Sequence, residues 1–144
     1  MVGGWLLDTN VIAEVMRPRG APAVKRWLAD QPETSLFLSV LTLGEIDKGV
    51  ANLPVGSPAG LRIEAAAIEL ERRFGDRILS VSDAAVRRWG RISGTVLRDR
   101  GRAPPVIDTL LAATAIEHGL TFVTRNVKDV EATGATLFDP WTAG

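Results

Sequence analysis

The run Trp5-Leu6-Leu7, followed at once by Asp8-Thr9-Asn10, constrains this chain more than any other stretch. An unalternating apolar segment of strand length that ends abruptly in a carboxylate is the pattern of a strand buried on both faces. Such strands belong to parallel sheets covered by helices. The pattern recurs: Ser35-Leu36-Phe37-Leu38-Ser39, Ile78-Leu79-Ser80-Val81, Thr121-Phe122-Val123-Thr124 and Thr136-Leu137-Phe138 read as four further strands. Segments of helical period lie between them. Val11 to Met16 gives a short helical turn, Pro22 opens a helix that Pro32 stops, and Val40 to about Ala51 is helical. Ser57-Pro58 caps and opens the helix carrying Leu61, Ala65, Ile68 and Leu70. Ser82-Asp83 starts a helix expected to bury Val86, Trp89, Ile92, Val96 and Leu97 on one face. Val106 opens another, closed by His118 and a left-handed Gly119, and Asn126 to Ala132 is a short last helix. Strands alternating with helices imply parallel pairing through crossovers. The fold class is therefore α/β: one three-layer α/β/α domain, residues 1–144, around a central, mainly parallel sheet of about five strands.

Composition narrows the chemistry. A hydrophobic fraction of 46% in 144 residues fills a core without staples. No apolar run approaches the roughly eighteen residues of a membrane span, so no membrane partner is expected. No basic region followed by an apolar core and cleavage site begins the chain, so a cytoplasmic setting is expected. There is no cysteine and a single histidine, His118, which reads as a helix-end residue without chemistry. Any metal would then have oxygen ligands, which points to magnesium or manganese. Formal net charge is zero, yet Arg87, Arg88, Arg91, Arg98, Arg100 and Arg102 face only one interspersed acid, Asp99. This local basic surface is either a solvated helix face or a grip for phosphates.

Four acids call for explanation. Asp8 sits where the first strand emerges, in the region of an α/β sheet where ligands bind, but it could equally cap the next helix. Glu45 stands among Leu43 and Ile46; Thr42-Leu43-Gly44-Glu45 has capping-box spacing, although a helix starting near Ser39 weakens that explanation. Asp108 lies in a first helical turn, where the dipole favours it, but on a helix apolar on nearly all sides, where an uncompensated carboxylate is costly. In Thr124-Arg125-Asn126-Val127-Lys128-Asp129, Asn126 as cap with Asp129 three residues on, or direct ligation by either, fits equally well. Carboxylates gathered at one crevice repel one another unless a divalent cation holds them ionised. Bound magnesium activates water and stabilises a leaving oxygen, the chemistry of phosphodiester hydrolysis without histidine or cysteine.

The succession Leu7-Asp8-Thr9-Asn10-Val11, Leu43-Gly44-Glu45-Ile46, Asp108-Thr109-Leu110-Leu111-Ala112-Ala113-Thr114-Ala115 and Thr124-Arg125-Asn126-Val127-Lys128-Asp129 resembles the PIN domain. Within it, the chain is similar to the VapC/FitB-like ribonuclease toxins of type II toxin–antitoxin pairs, including the Pro140-Trp141 ending of the FitB-like branch. The resemblance implies a magnesium- or manganese-dependent endoribonuclease in which Asp8, Glu45, Asp108 and Asp129 bind metal and catalyse. Thr9, Asn10, Thr124 and Asn126 are implied in supporting roles, and Thr9 and Asn10 are expected to take over the capping that Asp8 would otherwise do. The arginines from Arg87 to Arg102 are candidates for gripping RNA. A homodimer is implied, as is a small VapB/FitA-like antitoxin that occupies the active-site groove and carries any operator-DNA binding. Val130 departs from the family, which usually has an aromatic residue there. The residues leave two other classes: a PIN-fold module acting chiefly in an antitoxin–operator DNA complex, and an aspartate-dependent phosphatase or phosphotransfer domain, which Asn10 disfavours.

Overall fold

The computed structural model describes residues 3–142. Five strands, β1 (Trp5–Leu7), β2 (Leu36–Ser39), β3 (Ile78–Leu79), β4 (Thr121–Val123) and β5 (Leu137–Phe138), form one sheet in the order β3-β2-β1-β4-β5, with every pairing parallel. The chain builds outward from β1 through β2 to β3, then returns to place β4 on the other side of β1. The strand order therefore reverses between β1 and β4, and the crevice beyond their carboxyl ends is the place where open α/β sheets bind ligands.

Seven helices cover the sheet: α1 (Thr9–Met16), α2 (Pro22–Ala29), α3 (Val40–Ala51), α4 (Pro58–Phe74), α5 (Asp83–Arg100), α6 (Val106–Glu117) and α7 (Val127–Val130). Adjacent strand residues point to opposite faces, so Leu7 and Val123 pack with Val11, Ile12, Val24, Ile46 and Phe74, whereas Leu6 and Phe122 pack with Leu111, Ala112, Ala115 and Val130. These two apolar layers make the α/β/α sandwich. The position that departs from the family, Val130, is completely buried. Trp5, Trp27 and Phe138 close one end of the first layer, with ring centroids 5.0–5.6 Å apart, and Trp141 packs against the same layer.

Local chemistry explains the helix ends. Ser39, Ser57 and Ser82 each accept a hydrogen bond from an amide in the first turn of the following helix, and Gly119, at φ +65°, turns the chain out of α6. The structure differs from the sequence pattern in three places. Val86 and Leu97 are exposed, because α5 turns Ala85 and Val96 inward; one residue round a helix is about 100°, enough to carry a side chain from core to solvent. Leu61 and Ile68 of α4 are exposed for the same reason, its inner side being Gly60, Ile63, Ala67, Leu70 and Phe74. The third strand is also shorter than expected, since only Ile78 and Leu79 find partners on β2. Among the described residues, no helix is long and apolar enough to cross a membrane.

Candidate functional site

The site begins with the hydrogen bonds that tie the ends of β1 and β4 together. The Asp8 amide donates to the Val123 carbonyl at 2.9 Å. The carboxylate of Asp8 then accepts from the Thr124 hydroxyl at 2.7 Å on one oxygen and from the Thr9 amide at 2.7 Å on the other. Thr124 also accepts from the Asn126 amide at 3.0 Å and from the Asn10 side-chain amide at 3.4 Å. Asp8 is thus fixed in one orientation across the point where the strand order reverses.

Asp8 is only 3% exposed. Burial raises its carboxyl to a pKa of about 6, against the Thr124 and Thr9 hydrogen bonds that favour the charged form; the charges of Asp108 and Glu45 push it up further. Half-buried Asp108, on the first turn of α6, is raised as well, by burial first and then by the charges of Glu45 and Asp129. The acids of β1, α3, α6 and α7 are therefore electrostatic neighbours although up to 121 residues separate them along the chain. Among the described residues no salt bridge neutralises any of the four.

Glu45 lies five residues beyond the start of α3, whose cap is Ser39, so it is no part of a capping box. It accepts instead from the Thr9 hydroxyl. Thr9 in turn lies 3.0 Å from the hydroxyl of Thr42, which is fully buried one helical turn before Glu45. Because an ionised carboxylate only accepts, the Thr9 proton is committed to Glu45 and the Thr42 hydroxyl donates to Thr9. Thr42 was missed in the sequence; its spacing of three from Glu45 was a signal for a shared helix face, but its partner Thr9 lies 33 residues away.

The helix-cap expectation is corrected. Asp8 itself is the N-cap residue of α1, while Thr9 and Asn10 are already helical; cap and site residue are one carboxylate with two oxygens, each with its own donor. Asn126 makes no side-chain cap hydrogen bond; its backbone amide donates to the Thr124 hydroxyl. Asn126 and Asp129 are exposed.

Three of the six arginines are paired with acids. Arg87 pairs with Asp83, Arg88 with Glu117 on α6, and Arg98 with Asp99. Arg91 is exposed. Arg100 and Arg102 line a cleft of about 640 Å³ shared with Lys128, Asp129 and Pro105. A second cleft, of about 560 Å³, runs between α1, α3 and α4 from Thr9 and Glu45 over Ile12, Met16, Leu53 and Ile63.

As they stand, no three acids among the described residues converge closely enough to hold one ion. The donor set nonetheless fits a hard divalent cation in kind: it is all oxygen, its charges are unrelieved, and the buried side-chain oxygen of Asn10, bonded through its amide to Thr124, has no hydrogen-bond partner.

Known proteins match nearly the whole chain. The profile of the family described as PIN domain matches residues 5–132. The chain is 33% identical to the plasmid stability protein StbB of Pseudomonas syringae pv. tomato, over 96% of this chain and 99% of the relative. It is 32% identical to toxin FitB of Neisseria gonorrhoeae, over 94% and 97%, and 29% identical to the VapC ribonuclease Y4jK of Sinorhizobium fredii, over 94% and 96%. A solved structure of FitAB bound to an IR36 DNA fragment superposes with a TM-score of 0.86 at 30% identity, covering 97% of each chain.

Proposed function

The chain belongs to the PIN-domain family, and on that premise we propose that it is the ribonuclease toxin of a type II toxin–antitoxin pair, hydrolysing RNA phosphodiesters with a divalent cation. The observation that carries this reading is the buried Asp8 at the reversal point of the sheet, on which the charges of Asp108 and Glu45 act, as those of Glu45 and Asp129 act on Asp108, with none of the four in a salt bridge among the described residues. In this proposal Asp8 and Asp108 hold magnesium or manganese directly, and Glu45 and Asp129 complete the set through carboxylate or water contacts. A bound divalent ion supplies a water of lowered pKa and stabilises the leaving oxygen.

The chain's own residues do the rest. Thr124 and the Thr9 amide hold both oxygens of Asp8, so its orientation is fixed before substrate arrives. Thr42, through Thr9, fixes Glu45. Asn126, exposed beside Thr124, has its side chain free for substrate or for water. No covalent intermediate on Asp8 is invoked, the attacking group being water.

The cleft over Ile12, Met16, Leu53 and Ile63 suits an apolar segment of a cognate VapB/FitA-like antitoxin. It opens at Thr9 and Glu45, so an occupant would also cover the acids. Such a relative is solved with its partner and DNA, and we take operator DNA to be reached through the antitoxin alone. The toxin would act in the cytoplasm as a homodimer.

The testing experiment is cleavage of total RNA by the purified protein with magnesium, with chelator, and with Asp8→Asn. Cleavage that needs both the cation and Asp8 supports the reading. Cleavage that survives chelator and the substitution sinks it.

A further inference from the structure

The cleft that holds Asp129 contains a chemistry that the four acids alone do not use. Its walls come from the end of α5, the loop to α6, and α7: Arg100, Arg102 and Lys128 are the cations, and Pro104, Pro105 and Val96 supply apolar surface. None of the three cations is in a salt bridge among the described residues, and all three are exposed. This sets them apart from Arg87, Arg88 and Arg98, whose charge is already matched by Asp83, Glu117 and Asp99. Three cations around one concavity outnumber its one carboxylate, Asp129, and an anion of the right spacing relieves the repulsion that remains among them.

The cleft adjoins the acid set: Asp129 lines it, and so does Pro105, the N-cap residue of α6, whose first turn carries Asp108. A polyanion lying in the cleft therefore reaches the acids with its next unit. We infer that the cleft is a subsite for the backbone phosphate next to the scissile one in single-stranded RNA, with Arg100, Arg102 and Lys128 as its binding residues and the proline surface under the neighbouring base or ribose. The inference rests on the ribonuclease reading for the identity of the strand, and it adds Lys128, a residue on the loop–helix segment of Asp129, to the substrate contacts. An RNA strand is favoured over an acidic peptide because phosphates recur at every residue of the chain, while the proline surface gives bases something to lie against.

The test uses the full chain and a fluorescein-labelled, mixed-sequence oligoribonucleotide in chelator, so that binding is read without cleavage. Affinity is measured against salt for the wild type, for Arg100→Gln/Arg102→Gln/Lys128→Gln, and for Arg26→Gln/Arg72→Gln/Arg73→Gln, which removes the same charge elsewhere. Each phosphate contact contributes about 0.7 to the slope of log affinity against log salt for a single strand, so the first triple variant is expected to flatten the slope by about 2 and to weaken binding roughly tenfold or more. The second is expected to change neither by a comparable amount. The substituted side chains are exposed, and a thermal melt checks each fold; single substitutions, each flattening the slope by about 0.7, serve if the triple variant melts early.

An unchanged slope and affinity in the cleft variant overturns the inference, and so does an oligoglutamate that displaces the RNA from the cleft at equal charge concentration. Magnesium-dependent cleavage of total RNA by the wild type is assayed beside these. If cleavage occurs while the cleft variant binds normally, the subsite fails and the ribonuclease reading stands. If RNA binds through the cleft but no condition gives cleavage, the ribonuclease reading fails and the phosphate subsite stands.

Discussion

Two clefts of similar size each end at one of the four acids, a different one, and differ in the surface that leads there. The one between α1, α3 and α4 is lined mostly by apolar side chains, Ile12, Ala13, Met16, Ile46, Leu53 and Ile63, with Arg17 and Arg62 among them, and ends at Glu45. The one between α5 and α7 is lined by Arg100, Arg102 and Lys128 and ends at Asp129. Water is easily displaced from the first by apolar side chains, and counterions from the second by phosphates. The contrast teaches that one acidic centre can be approached by two kinds of chain, a partner along the apolar side and a nucleic acid along the basic side, without either surface having to serve both.

The largest effect expected from the apolar side comes from Ala66→Glu made together with Arg62→Gln, which puts a carboxylate against the proposed antitoxin segment and removes the cation one turn away that would pair with it. An unpaired buried charge at an interface costs several kcal/mol, so binding of the co-expressed partner should fall at least about a hundredfold, far more than RNA cleavage does. Equal losses in the two assays would merge the clefts into a single functional surface. Isothermal titration and a cleavage time course separate the outcomes.

The acids between the clefts predict a pH dependence of the opposite sign to that of an ordinary ion-paired carboxylate. Asp8 binds its proton more tightly in the folded chain than in the unfolded one, so metal-free protein loses stability as pH rises from about 4 through about 6, the value to which burial pushes the group. The loss is on the order of 3 kcal/mol by linkage, and Asp8→Asn should abolish it. Urea unfolding across that pH range, wild type minus variant, checks this; a difference that grows towards acid in favour of the variant would contradict it. Thr124→Val should steepen the wild-type dependence, because it removes the hydroxyl that favours the ionised form.

Magnesium should reverse the same penalty. At about a hundred times its dissociation constant a ligand of the folded state adds about 2.7 kcal/mol, so the melting temperature should rise for the wild type and not for Asp8→Asn. An equal rise in both would move the ion away from Asp8. The smallest expected effect belongs to Thr42→Val, which leaves Thr9 without its donor: a cost of about 1 kcal/mol in kcat, with KM unchanged and Thr42→Ser restoring the rate. A change in KM alone would make Thr42 a packing residue.

Much of this was legible in the sequence for a physical reason. Strands buried on both faces announce themselves as apolar runs, and Ser39, Ser57 and Ser82 cap the helices that their positions predict. The four acids stood out because each broke an otherwise apolar or capping pattern. What could not be read is what depends on pairing distant segments. The register that sets Thr124 against Asp8 joins residues 116 apart. The ion pairs of Arg87, Arg88 and Arg98 took half of an apparently basic run out of play, and Lys128, next to Asp129 all along, gained meaning only when α7 was set against the end of α5. Glu14 shows the same limit in the core: a buried acid that looks surplus in the sequence accepts from the Ala21 amide at 2.6 Å and pairs with Arg17, tying α1 to α2.

The central claim is that the carboxylates at the ends of β1 and on α3, α6 and α7 act together on RNA. Single-turnover cleavage of a labelled RNA, by wild type and by Asp8→Asn, Glu45→Gln, Asp108→Asn and Asp129→Asn at fixed magnesium, tests it most directly. The account predicts a loss of at least about a hundredfold for Asp8→Asn and Asp108→Asn and a smaller loss for the other two, with all four proteins folded. Cleavage by Asp8→Asn within a few-fold of the wild-type rate would contradict it.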